Sequence, residues 1–130
     1  MRELRSHHAD EAEFVRRVDE LQRPEGYRLV GVFEEGRCVA VAGFREQHTL
    51  AWGHVMYVDD LSTHPEGRRR GHGRALLEWC AAEAERLGCG QLHLDSGVGA
   101  EREDAHRLYF NAGLRITSHH FAKPVGASRP

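Results

Sequence analysis

Two stretches of this chain hold residues whose types and spacing suit chemistry. The first is Arg68-Arg69-Arg70-Gly71-His72-Gly73, with Arg74 directly behind it. It follows an apolar run that ends near Leu61 and opens an amphipathic helix. At such a turn the backbone N–H groups lack partners and the helix dipole favours negative charge. Missing side chains also let a phosphate come close. Arginine adds a forked donor matched to phosphate oxygens. The turn therefore predicts a phosphate-bearing ligand. The second stretch is Asp59-Asp60, two acids inside an otherwise apolar strand pattern, and such local conflicts often mark functional positions. The plain structural reading is that Asp60 pins a bulge and does no chemistry.

These residues need elements to hold them. Asp10 and Glu13 have capping-box spacing, and Phe14, Val15, Val18 and Leu21 follow at helical spacing, which predicts a first helix over 10–22 that stops before Pro24. Tyr27 to Phe33, Glu34-Glu35-Gly36 and Arg37 to Phe44 read as a β-hairpin. A third strand is expected over 50–63. Strict alternation puts Val55, Tyr57, Asp59 and Leu61 on one face and His54, Met56, Val58 and Asp60 on the other. From Gly73 a helix carries Leu76, Leu77, Cys80, Ala84 and Leu87 on one stripe, with Glu83 outside it, and stops at Gly88. A short strand over 91–95, a helix over 102–112 ending at Gly113, and a last strand over 114–122 complete the pattern. Tyr109 sits on the inward stripe of that second helix, where a tyrosine is ordinarily a core aromatic. Strand, helix and strand in this order imply one parallel crossover. The expected fold is mixed α/β: a twisted, mostly antiparallel sheet with helices on both faces. One domain should cover 1–123, with 124–130 as a frayed tail.

Composition narrows the classes. The chain has 130 residues, 40% hydrophobic and 29% charged, with a formal net charge of −2, which suits one globular domain and argues against bulk-charge binding of nucleic acid. Cys38, Cys80 and Cys89 show no metal-ligand spacing, and the adjacent pairs His7-His8 and His119-His120 do not chelate readily, so no metal is expected. Nothing approaches 18 consecutive apolar residues, which predicts no membrane association and a cytoplasmic setting. A P-loop fails for want of Lys-Ser/Thr after the glycines, and Cys80 on a buried stripe makes a poor nucleophile.

In combination, Asp59-Asp60-Leu61, the turn Arg68-x-x-Gly71-x-Gly73, the helix "RALLEWCAAEAERLGC", the strand "QLHLDS" and "AHRLYFNAGL" resemble the GNAT superfamily of N-acetyltransferases over about residues 27 to 122. The resemblance implies acetyl-CoA as co-substrate. Its pyrophosphate would lie on the N–H groups of Gly71, His72, Gly73 and Arg74, with Arg68 and Arg69 beside it. Pantetheine would enter a gap between Leu61-Ser62-Thr63 and the strand Leu92–Asp95. Leu61 N–H would polarise the thioester carbonyl. Asp59, then Asp60, would take a proton from a primary amine, with His54 as a weaker alternative, and Tyr109 would protonate the departing thiolate. The acceptor would be a small-molecule or peptide amine, with His54, His119 and His120 as candidate lining. The alternative is a non-catalytic acyl-CoA sensor or assembly domain. The chain departs from the family at Arg102, where an asparagine is usual, and in showing only one helix before the hairpin. Either the first strand lies outside this sequence or a partner supplies it, which brings in a homodimer.

Overall fold

In the computed structural model, residues 12, 15–16, 18–64, 71–96 and 102–126 are described. The capping pair Asp10 and Glu13 falls outside them. The described part of the first helix closes as a π-helical turn, Val18–Gln22, and a 3-10 turn, Arg23–Glu25. Helical backbone thus runs on through Pro24, which the proline's own φ permits in a first turn. It ends at Gly26, where φ is 89°.

Strands β1 (Arg28–Glu34) and β2 (Arg37–Thr49) form the expected hairpin, joined at Glu35-Gly36. Strand β3 (Gly53–Thr63) returns antiparallel to β2, and β4 (Gln91–Leu94) adds in parallel to β3. The sheet order is β1-β2-β3-β4. Between β3 and β4 runs helix α1 (His72–Arg86), and α2 (Glu103–Asn111) follows β4. The mixed, mostly antiparallel architecture is the one expected. The predicted strand over 114–122 is absent: residues 114–120 take no regular structure, and Ile116 and Phe121 are exposed. An alternating pattern is a context-dependent preference and makes a strand only where the chain lies hydrogen-bonded against a neighbour.

The core lies between one sheet face and α1. Ala40, Ala42 and Phe44 of β2 and Met56 and Val58 of β3 meet Leu76, Cys80 and Ala84 of the helix. Burying a side chain the size of Phe44 contributes about 1.5–3 kcal/mol. Glu83, expected on the outer face of the helix, is buried as well. Arg86 holds it through Nε at 2.6 Å, and Arg28 reaches across from β1 at 2.9 Å. The Arg28 guanidinium also lies 5.0 Å from the Phe44 ring centroid, so a cation shared between strand and helix makes the buried acid affordable.

Candidate active site

The ladder between β2 and β3 pairs Phe44 with Val58 but Gly43 with Asp60, which leaves Asp59 as an extra residue on β3. A bulge of this kind reverses the alternation beyond it. Strict alternation had separated the two acids, and the bulge corrects that. Leu61 packs with the core under α1, while Asp59 and Asp60 share the opposite face. Arg45 grips Asp59 with both arms of its fork, Nε to Oδ2 at 2.7 Å and Nη2 to Oδ1 at 2.9 Å. The Tyr27 hydroxyl donates to Asp60 Oδ2 at 2.7 Å. Tyr27 reaches it by crossing Gly43, where a Cβ would sit only 1.7 Å from the hydroxyl oxygen. Glycine is therefore required at 43 for space rather than for φ.

The same face continues toward the start of β3. Desolvation first, and then a hydrogen bond to Asp95, push the Tyr57 hydroxyl far above its ordinary range. The His93 ring lies 6.1 Å from Tyr57 and stacks on Trp52 at 4.0 Å. Asp59, Asp60 and Asp95 against Arg45 leave this face acidic among the described residues, and His120 approaches Asp95 at 3.6 Å.

β4 accompanies β3 from Val55↔Gln91 to Val58↔Leu94, whereas β3 runs on to Thr63 with β2 as its only partner among the described residues. The gap expected opposite Leu92–Asp95 opens later, because Leu92 and Leu94 are themselves paired. The bulge also sets which backbone groups face it. Before the bulge, the His54 carbonyl accepts from Gly90 N–H at 2.9 Å, so even-numbered residues of β3 face β4. After it, His64 N–H donates to the Val39 carbonyl at 2.7 Å, so even-numbered residues face β2. Leu61 and Thr63 therefore turn their N–H and C=O groups toward the side that β4 has left. Ser62 between them is buried and paired with Val41.

Helix α1 begins without a side-chain cap at Gly71, whose φ of 78° is left-handed. Its first backbone bond is Ala75 N–H to the Gly71 carbonyl at 3.0 Å, so the N–H groups of Gly71, His72, Gly73 and Arg74 stand at the helix mouth without helical partners. The side chains of this turn are engaged elsewhere: His72 Nε2 with Glu34 at 2.5 Å and Arg74 Nε with Glu78 at 3.0 Å. A Cβ on Gly73 would lie 2.9 Å from Leu108 Cδ2, so this glycine lets α2 lean on the turn. That contact brings the helix of Tyr109 beside the helix mouth. Burial pushes the half-buried Tyr109 hydroxyl up, while the charge and hydrogen bond of Arg102 pull it back. Arg68, Arg69 and Arg70 lie outside the described residues.

Two sequence readings change. His54 lies on the α1 side of β3 beside Glu46 and Cys89, away from the Asp59–Asp60 face, which removes it as an alternative base and as acceptor lining. Arg45, Tyr27 and Asp95 were missed as partners of the site, because their proximity comes from cross-strand register and has no sequence spacing to betray it. Cys80, buried with its thiol pushed up to about 11 by desolvation, is as unsuited to nucleophilic attack as expected. Among the described residues no helix is long and apolar enough to cross a membrane.

Comparison with known proteins gives the family and the fold. The Acetyltransferase (GNAT) family matches residues 1–113. An uncharacterized N-acetyltransferase of Bacillus subtilis, YhdJ, is 32% identical over 126 residues, covering 96% of this chain and 87% of the relative. An aminoglycoside acetyltransferase from an uncultured soil metagenomic sample superposes with a TM-score of 0.72 at 25% identity, over 89% of this chain and 75% of its own. AAC(6')-Iy, solved with the bisubstrate analog CoA-S-monomethyl-acetylneamine, shares the fold at a TM-score of 0.78 and 15% identity, over 97% of this chain and 86% of its own. The chain belongs to the GNAT family of acetyltransferases, whose chemistry is acyl transfer.

Proposed function

We propose that this protein is an acetyl-CoA-dependent N-acetyltransferase that acylates a primary amine by direct attack in a ternary complex. The observation that carries the reading is the bulge at Asp59. It sets two carboxylates on one face and, in the same step, turns Leu61 N–H toward the vacated strand edge. In this reading the N–H groups of Gly71 to Arg74 take the pyrophosphate, with Arg68 and Arg69 beside them. The backbone of Leu61 and Thr63, flanking Ser62, pairs with the pantetheine amides as an added strand would. The Asp59–Asp60 pair takes the ammonium proton, the amine attacks the carbonyl polarised by Leu61 N–H, and Tyr109 returns a proton to the leaving thiolate. The acidic face fits a cationic acceptor, small molecule or peptide, and such acceptors include the aminoglycosides of the structural relatives.

A homodimer belongs to the same proposal. β1 and β4 are the sheet edges among the described residues, and the segment that follows α2 exposes Ile116, Phe121 and Val125. Cytoplasmic residence and a single catalytic domain over 1–123 complete it.

Thiol release from acetyl-CoA across a panel of cationic amines tests the reading. Turnover with intersecting initial-velocity patterns is expected. Tight acetyl-CoA binding with no turnover on any amine would replace the enzyme with a sensor.

A further inference from the structure

Away from the Asp59–Asp60 face, three unlike ligand groups meet from three elements: Glu46 on β2, His54 on β3 and Cys89 in the turn between α1 and β4. His54 Nε2 lies 2.9 Å from Glu46 Oε2 and 3.5 Å from Cys89 Sγ, and the three ligand atoms all fall within 4.8 Å of one another. Backbone bonds fix the frame. Gly90 N–H donates to the His54 carbonyl at 2.9 Å, and Cys89 N–H donates to the Ala84 carbonyl at 2.8 Å. His48, directly across from His54 in the ladder, stacks on its ring with centroids 4.2 Å apart and planes within 12°. That stack holds the imidazole plane. Nothing in the acyl-transfer reading uses these groups.

We propose that Glu46, His54 and Cys89 bind a divalent cation of borderline softness, zinc above all, with a fourth position left to water. Thiolate, imidazole and carboxylate are the ligand types zinc takes, and the thiolate and imidazole disfavour magnesium and calcium. A tetrahedral centre about 2.3 Å from sulfur and about 2.0–2.1 Å from nitrogen and oxygen spaces a sulfur–nitrogen pair about 3.6 Å apart and a nitrogen–oxygen pair about 3.4 Å apart. The Cys89–His54 separation of 3.5 Å already matches the first of these. The Glu46–His54 pair, at 2.9 Å, must open slightly, and Glu46 is the exposed member that can move. On binding, the Cys89 S–H bond gives way to a sulfur–metal bond and one proton leaves to solvent; no electrons are exchanged. The ion would staple the start of β3 to the end of α1, so its effect is on stability.

Titration of chelator-treated protein with Co2+ tests the site. One equivalent should produce a thiolate-to-cobalt charge-transfer band and the intense visible bands of a four-coordinate centre, both removed by Zn2+. Cys89→Ser should abolish the charge-transfer band, and Glu46→Gln should weaken Co2+ binding at least about tenfold. Cys38→Ser, which removes the exposed thiol, should leave the spectrum unchanged. Zinc should also raise the melting temperature of the wild type and leave that of Cys89→Ser unmoved. A spectrum that stays that of six-coordinate aqueous cobalt, or one that survives in Cys89→Ser, overturns the proposal.

Discussion

Asp59 and Asp60 are adjacent and chemically alike, yet they are held differently, and single substitutions should separate them. Asp59 gives both oxygens to the Arg45 fork, whereas Asp60 receives the Tyr27 hydroxyl on Oδ2. Losing a general base costs about 10²- to 10⁴-fold in kcat. Whichever of Asp59→Asn and Asp60→Asn falls in that range, with acetyl-CoA affinity kept, identifies the base; normal kcat in both would remove the carboxylates from the mechanism. At Tyr109, burial keeps the hydroxyl protonated beyond the ordinary tyrosine value of about 10, so its alkaline limb in a pH–rate profile should lie above that value. Tyr109→Phe should lower kcat and erase the limb, and unchanged turnover at all pH values would end the assignment. Gly43→Ala is a steric test. A methyl at that position collides with Tyr27, which must leave Asp60, and the overpacking should cost about 1–3 kcal/mol in denaturant unfolding.

Among the elements, the hairpin, β3 and α1 with its glycine start were legible because their periods and punctuation are local. Leu76, Leu77, Cys80 and Ala84 are buried as their spacing requires. The bulge was legible only as the plain structural reading of Asp60, and its place at Asp59 was not. An inserted residue leaves no gap in an alternating pattern, and the only trace was two acids where one polar position was due. Glu83 was misplaced for a related reason, since its burial depends on Arg28, which lies far away in sequence and close only after β1 packs on α1. The false strand over 114–122 shows the converse, a local pattern that the chain does not lay against either sheet edge. The Glu46–His54–Cys89 cluster draws on partners 8 and 35 positions apart, which no ligand-spacing rule anticipates. The bulge yields its own prediction. Deleting Asp59 should remove the bulge and the Arg45 clamp while keeping Asp60 opposite Gly43 and Leu61 opposite Ala42, so Leu61 N–H still faces away from β2 and tight acetyl-CoA binding should survive. Lost acetyl-CoA affinity in a variant that still folds would show that the bulge itself, and not strand parity, places the donor.

At the scale of the whole molecule, the acid-sensitive joint is Glu83. Hydrogen bonds from Arg86 and then Arg28 hold its carboxyl down at about 2, well below the ordinary glutamate range. A depressed folded-state value means the contribution to stability is present above the unfolded value and is lost as pH falls through the folded one. Wild type should therefore lose stability between about pH 5 and pH 2 more steeply than Glu83→Gln, as followed by chemical denaturation. An identical slope in the variant would place the acid sensitivity elsewhere. The departure of β4 after Leu94 has a consequence for handling as well as for chemistry. An open strand side is a template for another chain, and among the described residues no strand lies against the outward side of Leu61 and Thr63. Charges at such an edge oppose that pairing, and Asp59 and Asp60 stand at its head. The donor that covers the edge during turnover would act between turnovers as a solubility partner, and preparations stripped of it should cloud first.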